Sequence, residues 1–454
     1  MYCTPENKNY IFAIRKMELL ISLRKIFLTA LLAIIVSYHP GAIEKPGGLT
    51  EKMAPSNIRL TNSNSSGTEF DGCAKVIQSF MKKWTIEGAS VAIAKDGKLV
   101  YAKGFGFADT AAGTETQPYS KFRIASISKL VTAVAIMKLR EEGKLSLDDK
   151  VFGPEGILND TIYCHPKDKR VFDITVTHLL SHEGGWSQRW GDQMFMPWVI
   201  ADQMKVNLPV DTRTIVRFAL SKRLHFTPGS GRSYSNLGYS ILGLVIEKVS
   251  GIPYDEYCRR TLLEPLGVYD MILARNMPDQ KAPFEVTYYE PASMPRKPSI
   301  YGTGEMVPAP YGGNDIETLG GAGSWLATAP DLLRVLLAVD GFDTRTDILD
   351  DQSIQFMTDV NNKYAPVGWK TTLMDGTWIR TGSFSGTAGM MKRQPDGISW
   401  VVLLNSSAWN GPELHSYISR TMAKALAQIG EWPQDDLFDN SLPLPIKIGI
   451  SGIN

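Results

Sequence analysis

The chain is short of cysteine, of net charge and of long apolar runs. Four cysteines in 454 residues (Cys3, Cys73, Cys164 and Cys258) are too few for a disulfide scaffold. No C-x-x-C pair occurs, which argues against cysteine-held zinc and thioredoxin-type redox chemistry. Lys and Arg number 48 against 47 Asp and Glu, so no global attraction to nucleic acid or to an anionic membrane is encoded. No G-x-S-x-G segment is present, which counts against an α/β-hydrolase elbow. His178 and His182 stand at i and i+4, but Glu183 follows the second histidine, whereas a zinc protease needs H-E-x-x-H. The glycines at 320, 321 and 323 lack the Lys-Ser/Thr of a phosphate loop. Neither a metal nor a cofactor is therefore expected. No internal repeat is found.

What is present is globular: 43% hydrophobic residues with 21% charged. One stretch has the character of a targeting segment. Arg24 and Lys25 precede an almost wholly apolar run from Ile26 to Tyr38, with Ser37 and Ala42 as small residues near a cleavage point. The run is shorter than the about 20 residues of a spanning helix and reads as a signal-peptide core. Met17 is an alternative start. The expected organisation is a signal peptide or N-terminal anchor over 1–43, a flexible leader over 44–68, one folded domain over 69–432, and a C-terminal tail over 433–454. An exported, periplasmic or extracellular protein follows, touching a membrane only through that first segment if it is uncleaved.

Within the folded part, strand signals come from both ends. Ser90–Lys95 and Lys98–Lys103 flank Asp96-Gly97, a two-residue hairpin turn. Thr387–Gln394 and Ile398–Asn405 flank Pro395-Asp396-Gly397, and Trp378–Phe384 supplies another strand. Helical spacing marks Cys73–Trp84 and Pro412–Ile429. Ser128–Glu142 is apolar on most sides, as a buried helix is. Thr328 and Asp331 bracket a helix start before Leu332. The fold class is α+β: an antiparallel sheet from both chain ends, flanked by helices, beside an inserted, mainly helical lobe. A cleft between lobes is the natural place for chemistry.

Three short patterns carry chemistry. Ser126-Ile127-Ser128-Lys129 puts a hydroxyl at a helix start with a lysine one turn on. A buried lysine there can lose its proton and act as a base. Tyr234-Ser235-Asn236 follows a Gly/Pro loop and precedes a buried helix from Leu237; in extended backbone Tyr234 and Asn236 face the same way. Arg380-Thr381-Gly382 lies on the strand 378–384, where Gly382 permits close backbone approach and Arg380 offers a fork for a carboxylate. Each is weak alone.

Together, the segments FRIASISKLVTA, PGSGRSYSNLGYSILGLVIEKVSG and WIRTGSFSGTAG resemble the serine β-lactamase and penicillin-binding-protein-like superfamily, most closely its class C β-lactamase and D-alanyl-D-alanine carboxypeptidase/esterase branch. ITVTHLLSHEGG and GGAGSWLATAPDLLRVLLA add to the likeness. The resemblance implies a β-lactamase/transpeptidase-like fold. It implies Ser126 as acylated nucleophile, Lys129 as its base, and Tyr234 as proton shuttle. Asn236 would bind substrate and orient the lysine, and Arg380, Thr381 and Gly382 would bind substrate. The backbone N–H groups of Ser126 and Ser383 would form an oxyanion hole. Arg380 departs from the usual Lys or His, and Glu183-Gly184 from the usual Thr and Ser. The implied function is a serine hydrolase acting on D-amino-acid peptides, small esters or β-lactams. The alternative is a module of the same fold that is acylated but hardly turns over.

Overall fold

The computed structural model describes residues 59–408 and 411–439. The targeting segment, most of the leader and the chain beyond 439 lie outside the described residues. The centre of the described fold is a seven-stranded antiparallel sheet. Its strands are β1 (Gly88–Lys95), β2 (Lys98–Asp109), β3 (Thr114–Glu115), β4 (Thr371–Thr372), β5 (Trp378–Phe384), β6 (Thr387–Arg393) and β7 (Ile398–Leu404), in the spatial order β3-β2-β1-β7-β6-β5-β4. The two chain ends meet where β1 pairs β7, from Ala89 opposite Leu404 to Lys95 opposite Ile398. Asp96 and Gly97 both have positive φ, 49° and 77°, as a tight hairpin with right-twisted strands requires.

Both faces of this sheet are covered, and the side chains divide by strand alternation. Val91, Ile93, Val402 and Leu404 pack against α1 (Asp71–Trp84) and the C-terminal helix through Ile77, Phe80, Ile418 and Met422. Ala92, Ala94, Val401 and Leu403 face the larger core, which holds α2 (Ser128–Glu141), α3 (Asn236–Ser250) and α4 (Ala329–Leu337). The C-terminal helix, α5, spans Leu414–Leu426 and is preceded by a 3-10 turn, Gly411–Glu413. Thr328 caps α4 by accepting from the Asp331 N–H, one of the groups a helix start leaves unpaired.

α2 is the buried helix expected from its sequence. Eleven of its fourteen residues are buried, Lys129 among them. α3 crosses it, capped by the Ser235 hydroxyl on the Gly238 N–H and ended by Gly251 at φ 76°. A 3-10 turn, Gly320–Ala322, is wedged between the two. A Cβ on Gly321 would lie 2.7 Å from the Tyr239 carbonyl oxygen, so only glycine allows the wedge. Thr132 and Ser240 clamp it by donating to the Gly321 and Leu319 carbonyls.

Residues 59–68 differ from the flexible leader expected there. Asn62–Ser65 form a 3-10 turn against β2. The Asn62 side-chain oxygen accepts from Gly104 N–H and the Ser65 hydroxyl from Ala102 N–H. β3 pairs only with Phe107 and Asp109, so these edge groups need other acceptors, and the Asn/Ser-rich stretch supplies them. The start of the tail docks likewise: Asp436 accepts from Leu99 N–H, and Phe438 is buried beside Arg334.

Candidate active site

Ser126 sits in a 3-10 turn, Ala125–Ile127, leading directly into α2. The residue before it, Ala125, has φ 47°, a left-handed conformation that costs a side-chain-bearing residue about 1–2 kcal/mol. Ser126 therefore stands just ahead of the helix rather than as its first residue. β5 passes close beside this turn. A Cβ on Gly382 would lie 2.1 Å from the Ile124 carbonyl oxygen and 3.1 Å from the Ser126 nitrogen, so a glycine is required for that approach.

Lys129 is fully buried and lies one turn on. Its ammonium nitrogen donates to the Asn236 Oδ1 at 2.7 Å, to the Ala322 carbonyl at 2.6 Å and to the Ser126 Oγ at 3.4 Å. Tyr234 donates to the same Ser126 Oγ at 2.6 Å and is 37% exposed. The lysine nitrogen also lies 4.9 Å from the Tyr234 ring centre. Burial lowers the Lys129 pKa; the Tyr234 phenolate opposes this, and the Arg380 charge adds to it. For Tyr234, desolvation by surrounding protein pushes the phenol up. The Lys129 and Arg380 charges and the hydrogen bonds to Lys129 and Ser126 outweigh it, bringing its pKa from 10.0 to about 8.

Arg380 is 2% exposed, and its guanidinium is turned onto the backbone of Ser126: Nε donates to the Ser126 carbonyl oxygen at 2.8 Å, and Nη2 donates to the same atom. The fork expected to meet a substrate carboxylate is engaged by the protein. Its charge still reaches both Lys129 and Tyr234. Arg380→Ala is accordingly expected to lower kcat/KM for neutral and carboxylate-bearing substrates alike, by about tenfold to a hundredfold, the worth of ~1.5–3 kcal/mol for a hydrogen bond to a charged group. Parallel assays on one substrate of each kind check this; loss confined to the carboxylate-bearing one would return Arg380 to substrate recognition.

Thr381 is nearly buried on β5 and Ser383 is exposed. The Ser383 Oγ lies 3.4 Å from the His415 Nε2, on the α5 side, and the same ring nitrogen is 3.1 Å from the Gly382 carbonyl oxygen. The Ser383 hydroxyl is thus directed toward α5. β4 pairs only with Trp378 and Ile379, so the edge of β5 from Arg380 to Phe384 has no strand neighbour among the described residues.

The structure therefore gathers Ser126, Lys129, Tyr234, Asn236 and Arg380, drawn from the turn before α2 and its first residues, the segment leading into α3 and its first residue, and β5. Three further groups had not been singled out for this role. The Ala322 carbonyl holds Lys129. His182 at φ 63° packs against Tyr234, with ring centres 4.7 Å apart and the rings tilted by 41°, and its Nδ1 accepts from Ser235 N–H. Burial, then the Lys129, Arg380 and Arg232 charges, hold its pKa well below the ordinary value, so it braces Tyr234 as a neutral ring. Asp192 accepts from the Asn236 Nδ2 at 2.7 Å. Of these, His182 and Ala322 lie in segments that already carried the family likeness; Asp192 had no sequence signal. Trp186 belongs to the core, and Trp190 is exposed.

A serine, a buried lysine and a tyrosine held at the junction of an antiparallel sheet and a helical lobe define the serine-hydrolase type of the β-lactamase/transpeptidase fold. Residues 73–420 match the Beta-lactamase family, and the chain belongs to it. It is similar to Protein flp of Staphylococcus aureus (strain N315), 29% identical over 208 residues, which are 46% of this chain and 38% of that protein. It is also similar to Esterase EstB of Burkholderia gladioli, 27% identical over 285 residues, 58% of this chain and 68% of EstB. Among solved structures, the octameric penicillin-binding protein homologue from Pyrococcus abyssi superposes with a TM-score of 0.58 at 28% identity, covering 81% of this chain and 78% of that one. The match to Protein flp spans well under half of that protein's length.

Proposed function

We propose that the chain is an exported serine hydrolase that cleaves amide or ester substrates through a covalent acyl-enzyme. The observation carrying this reading is the Ser126 Oγ, held between the Tyr234 hydroxyl at 2.6 Å and the Lys129 nitrogen at 3.4 Å. In the proposed reaction the Tyr234–Lys129 pair takes the Ser126 proton as Oγ bonds to the substrate carbonyl carbon. The carbonyl oxygen, now an oxyanion, is met by the Ser126 and Ser383 backbone N–H groups, a role typically worth a few kcal/mol. The pair returns the proton to the leaving amine or alcohol as the carbonyl carbon–leaving group bond breaks. Water then takes the leaving group's place, and hydrolysis of the Ser126 ester frees the acid. The name of the relative EstB supports ester substrates and that of the Pyrococcus protein a penicillin-like ligand. Among the described residues no helix is long and apolar enough to cross a membrane, so export rests on the apolar segment after Arg24 and Lys25.

One experiment tests the whole reading. Protein recovered from its native host is mixed with D-peptide, small-ester and β-lactam substrates, and its intact mass is followed. The expected result is a start between Ala42 and Leu49, a transient adduct of one acyl group, and product accumulating over many turnovers. An adduct that forms once without turnover would favour an acylated sensor module. A chain retaining residues 1–41 in the soluble fraction would reject cleavage of a signal.

A further inference from the structure

Lys129 has three N–H donors as an ammonium and three acceptors around it: Asn236 Oδ1, the Ala322 carbonyl and the Ser126 Oγ. To act as a base it must give up one proton, and the resulting lone pair must point at the serine. Two short contacts, 2.7 and 2.6 Å, keep two N–H groups on Asn236 and Ala322, which leaves the third direction, toward Ser126, for the lone pair. This works only if the Asn236 side chain shows its oxygen to Lys129. A primary amide has an acceptor end and a donor end of nearly the same shape. Rotated by half a turn, Asn236 would present its NH2, and the lysine lone pair would turn to that group instead of to Ser126.

Something must hold the amide one way round. The Asn236 Nδ2 donates to Asp192 Oδ2 at 2.7 Å. A carboxylate accepts and never donates, so it can face only the NH2 end. Asp192 is itself fixed: Oδ1 accepts from Met194 N–H at 3.1 Å and Oδ2 also accepts from Gln188 Nε2 at 2.9 Å. Resting on the acyl-enzyme reading above, we infer that Asp192 is a positioning residue: it locks the Asn236 amide with its oxygen toward Lys129 and so directs the Lys129 lone pair at Ser126. The same contact takes up the Asn236 Nδ2, so that amide braces the base rather than reaching for substrate. Asn236 is then a support of the catalytic pair in this chain.

Asp192 also adds a negative charge to the surroundings of Lys129. The other groups facing that nitrogen are the Tyr234 phenol, the Arg380 guanidinium and the Tyr239 ring at 5.7 Å, with the neutral His182 ring behind Tyr234. A negative neighbour favours the protonated lysine, so removing it makes the proton easier to lose.

The test uses the full chain, with the rate of labelling of Ser126 by a fluorophosphonate and kcat/KM on a neutral ester as readouts. Asp192→Ala is expected to slow both by about tenfold to a hundredfold, the usual range for a group that acts by orienting a first-contact residue. Asp192→Asn has a single acceptor oxygen where Asp192 uses two, so it cannot serve both Met194 N–H and the Asn236 Nδ2; its loss should fall between wild type and Asp192→Ala, with the acid limb of its pH–rate profile moved to lower pH because a negative charge is gone. The decisive arm is Asn236→Ala. In that background Asp192→Ala should cost less than about twofold more, since its effect passes through the amide. Full additivity of the two losses, or an Asp192→Ala enzyme as fast as wild type, overturns the inference. Should wild type itself show no labelling at Ser126, the acyl-enzyme reading fails, and the two failures are told apart by that control.

Discussion

Ser126→Ala is expected to abolish covalent labelling by a fluorophosphonate or a fluorescent penicillin and to lower kcat by at least about a thousandfold, because losing the nucleophile of a catalytic set costs nearly as much as losing the set. The fold should survive. Arg380 holds the Ser126 backbone oxygen, not its hydroxyl, so alanine keeps that ion-to-carbonyl contact. Lys129 keeps its bonds to Asn236 and Ala322. What the substitution removes is the acceptor for Tyr234, an exposed side chain that water can serve in its place, and the longest, at 3.4 Å, of the three contacts of Lys129. A melting temperature within a few degrees of wild type is the check on folding; for a domain of this size a few degrees corresponds to roughly 1 kcal/mol. Undiminished labelling of the variant would mean that some other residue is acylated.

Much of the frame was legible in the sequence because its signals are local. Asp96-Gly97 between two β-rich runs admits little but a tight hairpin, and the structure has one. The strand 378–384 and the buried helix after Ser128 follow from side-chain pattern alone. The order of the three motif segments made the candidate site visible even though each was ambiguous by itself. What escaped has a common physical cause: a residue type says what a side chain can bond, not which partner the fold will offer. Asn62 and Ser65 look like linker residues, yet they serve as acceptors for an open strand edge. Arg380 could have read a substrate carboxylate, and the fold offers it the Ser126 carbonyl instead. Asp192 lies on a loop with no periodicity to mark it, and only the packed structure brings it to Asn236. The left-handed Ala125 is likewise invisible in a sequence where alanine usually signals helix.

Lys129 and Tyr234 are expected to behave as one base. The phenol and the lysine both contact the Ser126 Oγ, and each moves the other's proton affinity: the lysine charge lowers the phenol, and the phenolate raises the lysine. A coupled pair gives up its proton in steps that belong to the pair. With Tyr234 at about 8, kcat/KM should rise with pH toward that value as the pair loses the proton it must later accept from Ser126. Lys129→Ala and Tyr234→Phe should each lower kcat by at least about a hundredfold, the low end of general-base effects. Lys129→Ala also opens a hole in a fully buried place and strips Asn236 and Ala322 of their donor, so Lys129→Met, which keeps the volume, is the companion variant that separates lost chemistry from lost folding. In Tyr234→Phe the phenolate that raised the lysine is gone, so the residual activity should show its acid limb at lower pH than wild type. The double variant should be little worse than the poorer single one, since the second loss removes a partner that no longer has a shared proton to move. If instead the two losses multiply in full, lysine and tyrosine act in separate steps, and the shared-base assignment is wrong.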